Sequence, residues 1–150
     1  MRIQDMPEFR NRDSVLTRTK DTTVADAVKA MSDRNYGSCV VTDGQGKLVG
    51  IVIERDIMRR VVNQNLDAAT TELSEVMTAN TKTAKADDDV MDCMRQMSNG
   101  RFRHMPVVDG DGKLVGMTSQ GDFVAYTWPE LFSRVKQNAA ASLFGRSAQV

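Results

Sequence analysis

Apolar positions follow two alternating rhythms along this chain. Val24, Ala27, Val28 and Met31 recur at the spacing of one helical face. Thr23 and Asp26 ahead of them have the form of a capping box, so a helix is predicted to begin there and to stop before Gly37. Cys39-Val40-Val41 is a short, wholly apolar run, expected as a strand covered on both faces. Asp43 to Gly46 carries turn residues, and Lys47 to Ile53 reads as the return strand of a hairpin. A second helix is predicted from Glu54 or Arg55, with Ile57, Met58, Val61 and Val62 as its apolar stripe. With Val15-Leu16-Thr17 as a short extended piece in front, the order is strand–helix–strand–strand–helix.

That order occurs twice. Asp43–Gly50 reads DGQGKLVG and Asp109–Gly116 reads DGDGKLVG, a constant offset of 66 residues. The register holds in both directions. Thr17, Asp21, Val24, Asp26, Met31, Ser32 and Asp56 return as Thr83, Asp87, Val90, Asp92, Met97, Ser98 and Asp122. A gapless match of this extent is an internal duplication. In the second copy Asp89 caps a helix bearing Val90, Cys93, Met94 and Met97. Met105–Val108 and Leu114–Ser119 flank the turn, and a last helix carries Phe123, Val124, Thr127 and Trp128.

The copies span residues 15–62 and 80–128, joined by a linker at 63–79 with Leu73, Val76 and Met77 as apolar anchors. Residues 1–14 are polar without a clear period and read as an arm that packs loosely or serves a partner contact. In the tail, 129–150, Pro129 is expected to interrupt the last helix or to open a new one over Glu130–Ala141, with Leu131 and Val135 on a common face. Gly145–Val150 is expected to fray.

Composition narrows the function. The chain has 150 residues, with 20 basic and 20 acidic side chains. Zero net charge counts against a nucleic-acid binder that relies on a basic surface. No apolar run is long enough to span a bilayer, and the polar N-terminus lacks a signal-peptide core, so a cytoplasmic protein is expected. Cys39 and Cys93 are not equivalent between the copies and read as buried, reduced thiols. One histidine and no carboxylate–histidine cluster leave no nucleophile with a base, and ligand spacing supports no metal site, so no enzyme is expected. Asp87-Asp88-Asp89 fits helix capping and dipole complementarity.

The tandem unit, with LVGIVxERD closing the first copy, resembles a pair of CBS domains, a Bateman module. Leu73-Ser74-Glu75-Val76-Met77-Thr78 is similar to the VxDVMT stretch that precedes a second CBS repeat, and Arg2–Pro7 resembles a degenerate version ahead of the first. The resemblance implies an α/β fold, two β-α-β-β-α repeats packed about a pseudo-two-fold axis. It also implies homodimers, a regulatory role toward a target protein, and no obligatory cofactor. The regulatory ligand it implies is an adenine nucleotide (AMP, ATP or NAD) or S-adenosylmethionine, held between the repeats.

The family's ligand signature, GhhS/TxxD with h apolar, is met by Gly116–Asp122. By that resemblance Ser119 and Asp122 hold the ribose or phosphate, and Arg103 and His104 contact phosphates. Met105 and Pro106 then offer backbone to the adenine edge, with Thr83 as a further lining residue. In the first copy Ile53 stands where the family has Ser or Thr; Asp56 remains, with Thr17 and Ser38 as the weaker counterparts of Thr83 and His104. Asp122 and Ser119 equally suit helix capping. A ligand-free dimeric interaction module is the alternative function.

Overall fold

The computed structural model describes residues 1–144; the fraying expected at Gly145–Val150 lies outside them. Strands β1 (Arg10–Asn11) and β2 (Thr17–Arg18) precede helix α1 (Val24–Arg34) and the hairpin β3 (Ser38–Thr42) and β4 (Leu48–Ile53). Helix α2 (Glu54–Ile57) runs on as a π-helical turn over Met58–Val62. A short α3 (Leu73–Val76) then leads to α4 (Val90–Gly100), β5 (His104–Val108), β6 (Leu114–Ser119) and α5 (Gln120–Phe144).

Equivalent residues make equivalent local structure. The Thr23 hydroxyl accepts the Asp26 N–H at 3.2 Å, and Asp89 accepts the Met91 and Asp92 N–H groups at 2.9 and 3.3 Å. Each of these helices therefore has free N–H groups satisfied at its start. Both end on a left-handed residue with φ near 54°, Asn35 in one and Arg101 in the other. In the two hairpin turns, Gly46 (φ 83°) and Gly112 (φ 79°) take the positive φ that a side chain resists.

The chain forms two three-stranded sheets, β2-β3-β4 and β1-β6-β5. The second includes a strand from ahead of the first repeat. β1 pairs antiparallel with β6, Arg10 opposite Met117, while Thr78, ahead of the second repeat, bridges Ile51 of β4. Each repeat is thus completed by the segment preceding the other. Gly50 and Gly116 admit that approach: a Cβ on Gly50 would lie 3.0 Å from the Thr78 carbonyl, and one on Gly116 would collide with the Arg10 carbonyl.

Residues 1–14 are consequently no loose arm. Ile3 and Met6 are buried in the second core with Val90, Cys93, Met97, Met105 and Phe123. Leu73 and Val76 are buried in the first core with Val24, Met31, Val41, Val52 and Val61. The backbone is exchanged reciprocally. Ile3 N–H donates to the Asp88 carbonyl at 3.0 Å, and Leu73 N–H to the Thr22 carbonyl at 2.9 Å. The arm looked aperiodic because one 3-10 turn, Ile3–Asp5, presents too few apolar residues to display a period.

Between the sheets, Val15, Val40, Ile51, Leu114 and Met117 form a third apolar cluster. Near the pseudo-two-fold axis Leu48 N–H donates to the Gly112 carbonyl (3.0 Å) and Leu114 N–H to that of Gly46 (3.1 Å). Both cysteines are free and buried, and burial pushes each thiol up to about 11.

Two helical expectations need correction. Of the stripe in the helix after β4, Val61 is buried and Ile57 half-buried, but Met58 and Val62 are exposed. The π-helical turn rotates the register away from the 3.6-residue period. In α5 Phe123 is buried while Val124 and Trp128 are exposed, and the helix continues through Pro129 instead of stopping. Proline removes one helical hydrogen bond, and helices commonly kink there rather than end. Among the described residues no helix is long and apolar enough to cross a membrane.

Candidate functional site

Each crossing segment borders a cleft. Residues 78–84 leave β4 at Thr78 and join β5 at Ala84. Ile53 and Asp56 stand at the β4–α2 junction, and Phe102, Arg103 and His104 at the start of β5. These five residues are shared by two adjoining cavities of about 180 and 330 Å³. Ile51, Thr78, Asn80, Thr81 and Lys82 complete the first, and Gly37, Glu54, Arg55 and Arg101 the second. Adjoining spaces of this size suit a small-molecule ligand.

Asp56 is 8% exposed. Its Oδ2 accepts the Ile53 N–H at 2.9 Å, capping α2, and its Oδ1 lies 3.8 Å from the Arg60 guanidinium. Arg60 is otherwise engaged with the linker, donating to the Val76 and Met77 carbonyls at 2.9 and 3.0 Å. Lys82, Arg103, Arg55 and Arg101 bring positive charge to the cleft against Asp56 and Glu54. His104 Nδ1 is buried without a hydrogen-bond partner. Burial holds this imidazole below its ordinary 6.5; Arg10 and Arg103 act the same way, opposed by Asp122 and Glu54.

Residues 12–16 make the equivalent crossing from β1 to β2, and here the carboxylate is engaged. Asp122 Oδ2 accepts the Ser119 N–H at 2.7 Å and the Ser119 hydroxyl at 2.8 Å. Ser119 Oγ in turn accepts the Asp122 N–H at 3.3 Å, a reciprocal cap at the start of α5. Arg10 adds an ion pair at 3.4 Å, and its guanidinium lies 6.0 Å from the centre of the Tyr36 ring.

The site residues named from the sequence therefore divide differently than expected. Ser119 and Asp122 do not line the cavities of Arg103 and His104; Ile53 and Asp56 of the first repeat do. The first signature loop faces the start of β5 across the repeats, whereas the second lies beside the start of β5 in its own repeat, with Ser119 opposite His104. The Met105 side chain points into the second core, and the Pro106 carbonyl already accepts the Ala84 N–H at 3.0 Å. Thr83 is exposed beside Lys82. Ser38 is buried, its hydroxyl 3.8 Å from Met117 Sδ. Thr17 lies in β2 and lines a separate cavity with Thr42 and Gly46.

Arg10 and Lys82, which stand with these groups, are not singled out by the sequence pattern. For Lys82 alone the sequence holds a second register. Aligning Ile3-Gln4-Asp5-Met6 with Leu73-Ser74-Glu75-Val76 gives an offset of 70 residues and sets Arg12 on Lys82. The four extra residues ahead of the first copy hide it from the 66-residue match.

Known proteins share this architecture. An uncharacterised 17.7 kDa protein of Acidianus ambivalens is 39% identical over 100 residues, 67% of this chain and 59% of its own length. The mitochondrial CBS domain-containing protein CBSX3 of Arabidopsis thaliana is 38% identical over 110 residues, 71% of this chain and 53% of its own. The chain thus spans between half and three-fifths of these relatives. The crystal structure of the CBS domain pair of protein MJ0100, in complex with 5′-methylthioadenosine and S-adenosyl-L-methionine, superposes with a TM-score of 0.76. It is 25% identical and covers 87% of this chain and 98% of its own. The CBS domain profile matches residues 12–63 and 73–128, both copies of the duplication. The chain belongs to the CBS domain family.

Proposed function

We propose that this protein is a regulatory module that senses an adenosine-containing nucleotide in the cleft of Asp56, Lys82, Arg103 and His104. The observation that carries this reading is His104 Nδ1, buried and unpartnered, in a cleft that combines a carboxylate with several cations. Asp56 Oδ1 accepts a ribose hydroxyl. Arg103 takes a phosphate through paired N–H groups, and Lys82 supplies a point charge. Ile53 offers apolar surface to the nucleoside. Cations in this number favour a phosphate-bearing ligand of the AMP or NAD kind over S-adenosylmethionine, which carries no phosphate.

The signal is a change in packing between repeats. The cleft takes residues from β4 and α2 of one repeat and from β5 of the other, so a ligand that bridges them stabilises one relative arrangement. A homodimer or a target protein reads the change through the exposed apolar helix faces, where Met58 and its equivalent Val124 are 57% and 48% exposed. That same face favours a second reading, a ligand-free dimeric interaction module.

A thermal-shift screen with AMP, ADP, ATP, NAD and S-adenosylmethionine separates the two. A ligand that binds only the folded state raises Tm by mass action. The sensor reading expects a rise with a phosphate-bearing adenosine compound, lost in Asp56→Ala and Arg103→Ala. No rise in protein shown to be free of bound nucleotide selects the interaction module.

A further inference from the structure

A separate cavity lies at the far end of the first sheet from Asp56. Strand β3 runs from Ser38 beside the clefts to Thr42, and β4 returns from Leu48 toward Ile53. At the Thr42 end a space of about 430 Å³ is lined by Arg12, Arg18, Arg34, Thr17, Thr42 and Gly46, among others. Three arginines, two threonines and Gly46 thus come together from five places in the chain. They are the crossing segment, β2, the end of α1, the end of β3 and the hairpin turn.

Asp13 is the one carboxylate among the lining residues, and among the described residues none of the three arginines forms an ion pair. Arg18 donates to the Thr17 carbonyl at 2.8 Å, which folds its side chain back along β2. The fold does not need this charge. At the equivalent places in the second repeat stand Ala84 for Arg18, Gly100 for Arg34 and Val108 for Thr42. In a chain of zero net charge, three arginines against one carboxylate on one concave surface make a local positive field, and such clefts concentrate anions.

We infer that this cavity is an anion site for a small phosphoryl compound, distinct from the nucleotide cleft and peculiar to the first repeat. Guanidinium groups present paired donors that match phosphate oxygens, and the Thr17 and Thr42 hydroxyls add neutral donors. Converging charges favour a multiply charged group, a diphosphate over a single phosphate. The inference stands without the nucleotide reading, because it shares no residue with that cleft.

The test is titration of the full chain with inorganic pyrophosphate and, separately, orthophosphate, followed by amide and arginine side-chain NMR. Saturable shifts centred on Thr17, Thr42 and Gly46 are expected, with pyrophosphate the tighter. Arg34→Gln, an exposed change that spares the core, should weaken pyrophosphate at least tenfold, and Arg18→Gln likewise, with each variant's Tm confirming its fold. Shifts centred on Lys82 and Arg103, a titration that fails to saturate, or unchanged affinity in both variants would each overturn the assignment.

Discussion

The Arg10 guanidinium sits 3.4 Å from the Asp122 carboxylate, beside the loop whose signature best matches the family pattern. A residue from ahead of the first repeat thus stands against the carboxylate of that signature. Arg10 Nε is buried without a partner, so the guanidinium is not fully satisfied there. Asp122 is also held twice by Ser119. The better signature therefore carries the more fully engaged carboxylate. Arg10→Gln removes the ion pair while keeping the length of a polar side chain. Isothermal titration with adenosine, which has no phosphate to gain from Arg10, should show additional binding in Arg10→Gln relative to the parent. Equal stoichiometry and affinity in both proteins would show that the ion pair closes nothing.

Ile3 is fully buried against the second core although it lies at the start of the chain. Ile3→Ala should cost about 2–5 kcal/mol, the range for truncating a buried aliphatic side chain. Urea unfolding gives the value. A loss below about 0.5 kcal/mol, the size of an ordinary surface substitution, would mean that the N-terminal stretch does not pack as described.

His104 links stability to pH. Its folded pKa lies below its ordinary 6.5, with burial the largest cause. The unfolded chain therefore binds the proton more readily than the folded one. This contribution to stability is fully present above about pH 6.5 and declines as the pH falls toward the folded value. Melting curves between about pH 7 and 5 should drop more steeply for the parent than for His104→Gln. Parallel curves would remove His104 from the account.

Arg101 ends α4 with φ near 54°, where a side chain is disfavoured. Its equivalent is Asn35, a residue that tolerates this conformation. Arg101→Gly should therefore raise stability by up to about 1 kcal/mol, relief of backbone strain offset by glycine's greater unfolded freedom. Urea midpoints decide it, and a decrease would show that Arg101 makes a compensating contact.

Much of this protein is legible in its sequence because the determinants are local and occur twice. Thr23 and Asp89 start helices by bonding N–H groups within three residues, and the two DGxG turns close hairpins with Asp43 and Asp109 accepting from their own loops. A repeat of 66 residues then forces two copies of one architecture. What no local rule contains is which copy meets which. The exchange of Ile3 and Leu73 between cores is a long-range choice, made because each repeat alone leaves an apolar face and a sheet edge uncovered. That choice pairs Asp56 with Arg103 and His104, and Asp122 with Arg10. Signature residues could be named from the resemblance to the family; their partners depended on packing between segments far apart in the chain.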